Sequence, residues 1–263
     1  MSIVLDTIPK SHKFIIPNTY IMKNLKSTIL FGSALSISLF LYSCSKDQKI
    51  PESSAAKTGS IETKKGTFTA NIGDIAEIDI SKGDTCYYWT KSGTVSSGTS
   101  TNAVQYRSPV PYSLPSGKTG ADVVAVAIAN TNWCYFWYAD GTMSVGFSNN
   151  ATAHIAPKPY LMPAGKTPAD IVAISIAKSN NQVYTWYKDG TASVGNSTDL
   201  GAIRSPYPYT PAAGKTISNI VGIGIAGSND HTYAWYNDGS TKTVSSGYTN
   251  ILDAYFGPLP SSF

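Results

Sequence analysis

The chain has 263 residues, of which 42% are apolar and 11% aromatic but only 14% charged, against about a quarter charged in an average soluble domain. So much apolar surface with so little charge excludes a disordered chain and a coiled coil. The net charge of +4 is nominal, because Lys10, Lys13, Lys23 and Lys26 fall with Asp6 in the first 43 residues; the remainder is close to neutral and has no basic surplus to set against a nucleic-acid backbone.

Met22 reads as the translation start. After it, Lys23 and Lys26 form a positive segment, residues 29–41 an apolar run, and Leu41-Tyr42-Ser43-Cys44 the close of that run. A run this short does not span a bilayer, which takes about 20 residues; charge, then apolar run, then small residues is the order of an export signal. Leu41-Tyr42-Ser43-Cys44 resembles the lipobox of bacterial lipoproteins, with the bulky Tyr42 as a departure. That resemblance implies acylation of Cys44 and an anchor in a bacterial membrane, at the outer membrane or cell surface. An ordinary secretory signal is the alternative, and either takes the protein out of the cytoplasm. Residues 1–43 are thus read as a signal segment. Residues 44–65 are rich in Ser, Ala and Lys and nearly lack apolar side chains, so they bury too little surface to offset ordering entropy and read as a flexible tether.

Residues 66–263 repeat. Trp89, Trp137, Trp186 and Trp235 are spaced by 48, 49 and 49 residues, and the Gly-Lys-Thr tripeptides at Gly117, Gly165 and Gly214 keep the same phase, as do Asp122, Asp170 and Asn219. Four units result, near 74–119, 122–167, 170–216 and 219–263. Each opens on a strand with one branched and one tiny face, as in Val124, Val126 and Ile128 alternating with Ala125, Ala127 and Ala129. Such a strand has something packed very close on its small side. An aromatic strand follows, as at residues 135–138, then a hairpin at Asp140-Gly141, Asp189-Gly190 or Asp238-Gly239 and a third strand. Tyr112, Tyr160 and Tyr209 mark a fourth, edge-like strand. No helical period is sustained.

Four short antiparallel strands per unit predict an all-β propeller of about four blades, the small-faced strand innermost. The order of an Asp-Ile-Val strand and an aromatic strand ending in Asp-Gly-Thr resembles the chromosome-condensation-regulator repeats and propeller lectins of the tectonin and tachylectin type. Residue 263 aligns to where the fourth strand of the last unit has scarcely begun, so residues 66–70 are expected to complete that blade and remove its free edge.

Chemistry is sparse in this pattern. The Gly-Lys-Thr tripeptides lack the earlier glycine of a phosphate loop, which is replaced by Tyr112, Tyr160 and Tyr209, and read as turns between blades. Cys86 and Cys134 share a place with Val183 and Thr232 and read as packed free thiols. His154 and His231 have no metal-ligand neighbour at suitable spacing, and no nucleophile elbow appears. The sequence therefore predicts a non-enzyme with no cofactor and no metal. Glu77 and Asp79 align with Ala125 and Ala127 and are expected to project toward the axis, solvated in a channel; an enzyme centred on them is the minor alternative.

Trp89, Trp137, Trp186 and Trp235, with a Tyr two places earlier, are expected to cement the blades together. The loops after strands one and three emerge on one side and are polar in each unit. From them the predicted ligand-binding residues are Asn132, Trp133, Asn181, Asn229, Asp230 and His231, with Arg107 and Arg204 just beyond and Tyr138, Tyr187 and Tyr236 from the aromatic strand. Short amides and hydroxyls beside aromatic faces suit a sugar. The expected function is multivalent, lectin-like carbohydrate binding on an anchored surface; a protein-interaction scaffold is the alternative, and assembly across chains is left open.

Overall fold

The structure, a computed structural model, describes residues 74–263; the signal segment, Cys44, the tether and residues 66–70 lie outside them. Sixteen strands form four separate four-stranded antiparallel sheets in sequence order, which gives a four-bladed β-propeller. Blade 1 is β1 (Ile75–Ile80), β2 (Cys86–Thr90), β3 (Thr94–Gly98) and β4 (Arg107–Pro111). Blade 2 is β5 (Val123–Ile128), β6 (Cys134–Tyr138), β7 (Thr142–Phe147) and β8 (Asn150–Pro159). Blade 3 is β9 (Ile171–Ile176), β10 (Val183–Tyr187), β11 (Thr191–Asn196) and β12 (Asp199–Pro208). Blade 4 is β13 (Ile220–Ile225), β14 (Thr232–Asn237), β15 (Lys242–Gly247) and β16 (Phe256–Pro260).

The small-faced strands β1, β5, β9 and β13 stand innermost, as their composition predicts. They approach so closely that a Cβ on Gly222 would lie 2.8 Å from the Ile78 nitrogen, and one on Gly224 3.0 Å from the Asp79 Cα. Registered positions form two layers across the axis. Glu77 meets Ala125, Ala173 and Gly222, and Asp79 meets Ala127, Ser175 and Gly224; in each layer one carboxylate fills the space that three small residues leave.

Glu77 and Asp79 do point inward, but neither is solvated: both are 0% exposed. Four blades leave no room for a column of water, and an innermost strand still has unpaired N–H groups on its axial edge. The carboxylates take those donors. Glu77 Oε1 accepts from the N–H of Ile78 (3.0 Å) and of Ile223 (3.3 Å), and Oε2 from that of Ile174 (3.3 Å). Asp79 accepts from the N–H of Ile128 (2.7 Å) and the Ser175 hydroxyl (2.6 Å), whose oxygen in turn accepts from the N–H of Ile225 (2.9 Å). The buried Lys178 ammonium lies 3.5 Å from Asp79. Burial pushes the Glu77 carboxyl well above the usual range, with no cation to oppose it. It also pushes Asp79 up and Lys178 down, each against the attraction of the other.

The fourth strands differ from their expected position. They end on Pro111, Pro159, Pro208 and Pro260, so each precedes its tyrosine and occupies a stretch that reads as loop in sequence. Tyr112, Tyr160 and Tyr209 then turn inward, and their hydroxyls donate to the carbonyls of Thr90, Tyr138 and Tyr187. Blade 4 supplies a fourth strand of its own, β16, paired with β15; the expected contribution of residues 66–70 to this blade lies outside the described residues. Closure comes from the C-terminal side. Ser262 bridges Asn102 of blade 1 as Ser113, Leu161 and Thr210 bridge the next blade elsewhere in the ring. Phe263, 4% exposed, packs 6.4 Å from the Tyr88 ring, and Lys242 donates to its carbonyl.

The four repeat tryptophans, Trp89, Trp137, Trp186 and Trp235, are each 0% exposed and reach the following blade. The indole N–H groups of Trp89, Trp137, Trp186 and Trp235 donate to the carbonyls of Ser148, Ser197, Thr249 and Ser100 at 3.3, 3.2, 2.8 and 2.7 Å, the last bond crossing from blade 4 back to blade 1. The Gly-Lys-Thr turns have a mechanical role. Gly117, Gly165 and Gly214 carry φ of 81°, 76° and 74°, which favours glycine. Lys118, Lys166 and Lys215 bond Asp140, Asp189 and Asp238 of the hairpins and lie over the rings of Tyr138, Tyr187 and Tyr236. The threonines cap three-residue 3-10 turns ending in Asp122, Asp170 and Asn219. Cys86 and Cys134 are buried free thiols.

Two stability outcomes are expected. Glu77 has a raised pKa in the folded state, so the folded protein holds the proton longer; stability is greatest at low pH and falls as pH rises above the ordinary carboxylate range, by at most about 1.4 kcal/mol per pH unit. Urea melts of Glu77→Gln, which has no proton to lose, should show a flatter slope between pH 4 and 8, whereas Glu77→Leu strands three N–H groups and should cost at least about 3 kcal/mol. Phe263→Ala should open the seam and cost about 3 kcal/mol, read from the same melts.

Candidate ligand site between the blades

The loops after first and third strands meet on one face, as the up-down order of strands requires, and there the blade interfaces open into repeated crevices. Between blades 1 and 2 a crevice of about 300 Å³ is lined by Thr85, Tyr87, Asn132 and Ser148. Between blades 2 and 3 one of about 250 Å³ is lined by Thr131, Trp133, Tyr135, Asn181, Asn196 and Ser197. Between blades 4 and 1 one of about 220 Å³ is lined by Asp84, Thr99, Ser100, Ser228 and Tyr233. The half-buried tyrosine in each lies against its blade's tryptophan: Tyr87, Tyr135 and Tyr233 stack on Trp89, Trp137 and Trp235 at 5.7, 6.0 and 6.3 Å. The tryptophan packs the interface and the tyrosine is left at its mouth.

Asn132, Asn181 and Asp230 do lie on this face, but they also hold the loops together. Their φ values of 61°, 58° and 54° place them in the left-handed region, with Asp84 at 58° as the blade 1 counterpart. Asn and Asp tolerate that conformation best among residues with a side chain. The side-chain oxygens of Asn181, Asp230 and Asp84 reach across to the preceding blade. Asn181 accepts from the N–H of Asn130 (3.3 Å), Asp230 from that of Lys178 (3.2 Å), and Asp84 from those of Gly227 and Ser228 (2.8 and 3.2 Å). Asp84 is not among the residues expected from sequence to bind ligand; its phase before Cys86, matching Asn132 before Cys134, is the signal that finds it. Asn229 is exposed, and its side chain accepts from the N–H of His231 at 2.9 Å.

Trp133 and His231 hold equivalent places and both become parts of aromatic ledges. Trp133, 37% exposed, stacks on His154 at 4.1 Å, with Phe147 against the same imidazole at 4.6 Å. His231 stacks on Tyr255 at 3.7 Å, and Tyr248 lies 4.9 Å from Tyr255. The stacking partners come from the ends of third strands and from fourth strands, which residue type alone does not pick out. Within blades 2 and 4 the structure thus brings residues from the region of the first loop against residues near the third and fourth strands.

Tyr138, Tyr187 and Tyr236 are corrected. All three are 0% exposed, near the opposite, hairpin-bearing ends of their strands. Tyr138 and Tyr187 share hydrogen bonds of 2.7 Å with Ser144 and Ser193, and the Tyr236 hydroxyl accepts from Ala212 and Ser245. They pack beneath the lysines of the turns and offer no surface to a ligand. Glu77 and Asp79 are likewise sealed in the hub. Among the described residues no three His, Cys, Asp or Glu side chains gather as a metal site requires.

The hairpin face carries a different cavity, a funnel of about 670 Å³ on the axis, walled by Ala76, Val124, Val172 and Val221 with Lys91 and Lys188 beside it. Its walls are apolar and carry few groups to orient a polar ligand. Hydrogen-bonding groups converge in the crevices instead.

Asn181→Ala should cost about 1–2 kcal/mol in a urea melt, since it keeps the left-handed strain and removes the acceptor across the blades; Asn181→Gly, free of the strain, should cost less.

No protein-family description and no curated relative matches the chain. Among solved structures it is similar to the WD40 repeats of RRP9, at 10% identity and a TM-score of 0.32 over 67% of this chain and 49% of that one. It is similar to virginiamycin B lyase from Staphylococcus aureus, at 11% and 0.35 over 72% and 56%. The β-propeller domain of Cps50 (Swd1) from Myceliophteria thermophila matches at 12% and 0.32 over 74% and 60%. The chain therefore spans about half the length of the first structures it matches. Likeness at these scores carries nothing beyond the propeller architecture already seen, and none of the three is named for a sugar.

Proposed function

We propose that this protein is an exported propeller, anchored through lipid on Cys44, that binds carbohydrate at several blade interfaces without performing chemistry on it. The observation that carries this reading is the recurrence, on one face, of a small crevice with an aromatic platform at its mouth and amide and hydroxyl groups on its walls. A sugar ring offers an apolar C–H face to an aromatic ring and several hydroxyls to fixed donors and acceptors. The crevice between blades 2 and 3 suits it best, with Trp133 and Tyr135 beside Asn181, Asn196 and Ser197. Weak sites held by one rigid ring on an anchored surface gain avidity from geometry alone.

A second reading has its own support. The apolar funnel on the hairpin face and the exposed Tyr106, Ile203 and Leu161, at 63%, 56% and 61%, suit a protein partner, which would make the molecule an interaction scaffold.

A glycan array probed with the full chain should register neutral oligosaccharides, and Trp133→Ala should weaken that binding at least tenfold with melting unchanged. Val172→Asp, in the funnel, should leave it intact. No glycan binding, with a protein partner lost on Val172→Asp, would establish the scaffold instead. In cells, Cys44→Ser should abolish incorporation of labelled fatty acid and release the protein from the membrane fraction.

A further inference from the structure

The chain contains two arginines in all, Arg107 and Arg204, and both fall at one place in the repeat. Arg107 stands opposite Ser97 on β3, which stands opposite Tyr87 on β2. Arg204 stands opposite Val194 on β11, which stands opposite Tyr184 on β10. Directly opposed residues share a face of an antiparallel sheet, so each guanidinium belongs to the blade face that carries the crevice tyrosine. In blades 2 and 4 the same place holds Ile155 and Phe256. At this row the interfaces therefore alternate: those between blades 1 and 2 and between blades 3 and 4 carry a cation, and the other two carry an apolar side chain there.

Neither arginine is paired with a carboxylate among the described residues, where the ion pairs are all made by lysines. Arg107 Nε and Nη2 are buried without any acceptor. Arg204 lies exposed, its guanidinium carbon 3.7 Å from the centroid of the Tyr207 ring, and the Tyr207 hydroxyl donates to Thr249 of blade 4 at 3.3 Å. Buried donors without acceptors are uncommon in folded proteins, and a guanidinium is a planar fork shaped for a carboxylate. A bare fork in the row of an aromatic platform lacks the acceptor it is built to hold.

Resting on the carbohydrate reading above, we infer that the crevice between blades 1 and 2 binds an acidic sugar residue, its carboxylate on Arg107 and its ring on Tyr87, and that the interface between blades 3 and 4 holds a weaker copy using Arg204. The difference follows from the neighbouring loop residue. Asn132 lines the first crevice, which has no carboxylate in its wall, and the Asp79 carboxylate below is matched by Lys178. At the second interface the equivalent residue is Asp230, reaching from blade 4 to blade 3, and its charge opposes an anion.

The test is calorimetric titration of the full chain with oligogalacturonate and a sialylated oligosaccharide, each beside its methyl ester. At least one acid should bind tenfold or more tighter than its ester, with the advantage shrinking as salt rises. Arg107→Gln should remove that advantage, Arg107→Lys should restore part of it, and Arg204→Gln should reduce it threefold or less, with melting curves confirming that each variant is folded. Equal binding of acid and ester, or an acid preference untouched at Arg107, overturns the inference while leaving the carbohydrate reading in place. Absence of any glycan binding overturns both, and competition by polyglutamate at matched charge would reassign the site to an acidic peptide.

Discussion

Four blades converging on one axis leave each innermost strand with a row of N–H groups facing the other three and no water to receive them. The remedy sits in a single blade. Glu77 and Asp79 accept from Ile174, Ile223, Ile128 and, through Ser175, Ile225, so two carboxylates of blade 1 satisfy the axial edges of the other three. The same convergence requires Ala125, Ala127, Ala173, Gly222 and Gly224 opposite them, because the layers hold one larger side chain and no more. Repeat symmetry is broken here by necessity, since four carboxylates in one layer would not fit and would repel each other without solvent.

Outside the hub, symmetry returns and explains why several motifs keep phase. A tryptophan in one blade bonds a loop of the next, a lysine of the linker pairs with the hairpin aspartate beyond it, and a threonine caps the turn that delivers the next inner strand. The tryptophan contact spans the boundary between blades and the other two fix the linker to the blade it leads into, so shifting any of these motifs within the repeat would cut a bond. The ring closes with the same devices, Trp235 to Ser100 and Ser262 to Asn102, with Phe263 taking the place against Tyr88 that Tyr112 takes against Phe136.

This division of labour shapes the surface where ligands are sought. Loop residues that look like free polar groups, Asn181 and Asp230 among them, already serve as turn formers and as acceptors between blades, which fixes the crevice walls. What stays available is the tyrosine at the mouth, the exposed ledge of Trp133 or His231, and the arginine of alternate blades. The face is thus repeated in shape, and it alternates in chemistry between neighbouring interfaces.

The four-bladed all-β architecture, the inner strand and the buried tryptophans were legible in the sequence because they rest on local periodicity: alternation of two and recurrence of about 49 residues survive without coordinates. The loop face was legible too, since strand order alone decides which connections share a side. The depth of Glu77 and Asp79 was not, because whether an axial carboxylate meets water depends on how closely four blades approach. Nor was the burial of Tyr138, Tyr187 and Tyr236, over which the lysines of the preceding linkers fold. The outer strands were misplaced because their pairing runs through bulges that alternation does not mark. Pairings between distant segments, such as His154 under Trp133 or Arg107 in the row of Tyr87, belong to the tertiary structure alone, since side-chain contact across strands is set by register and by the packing of one blade on the next.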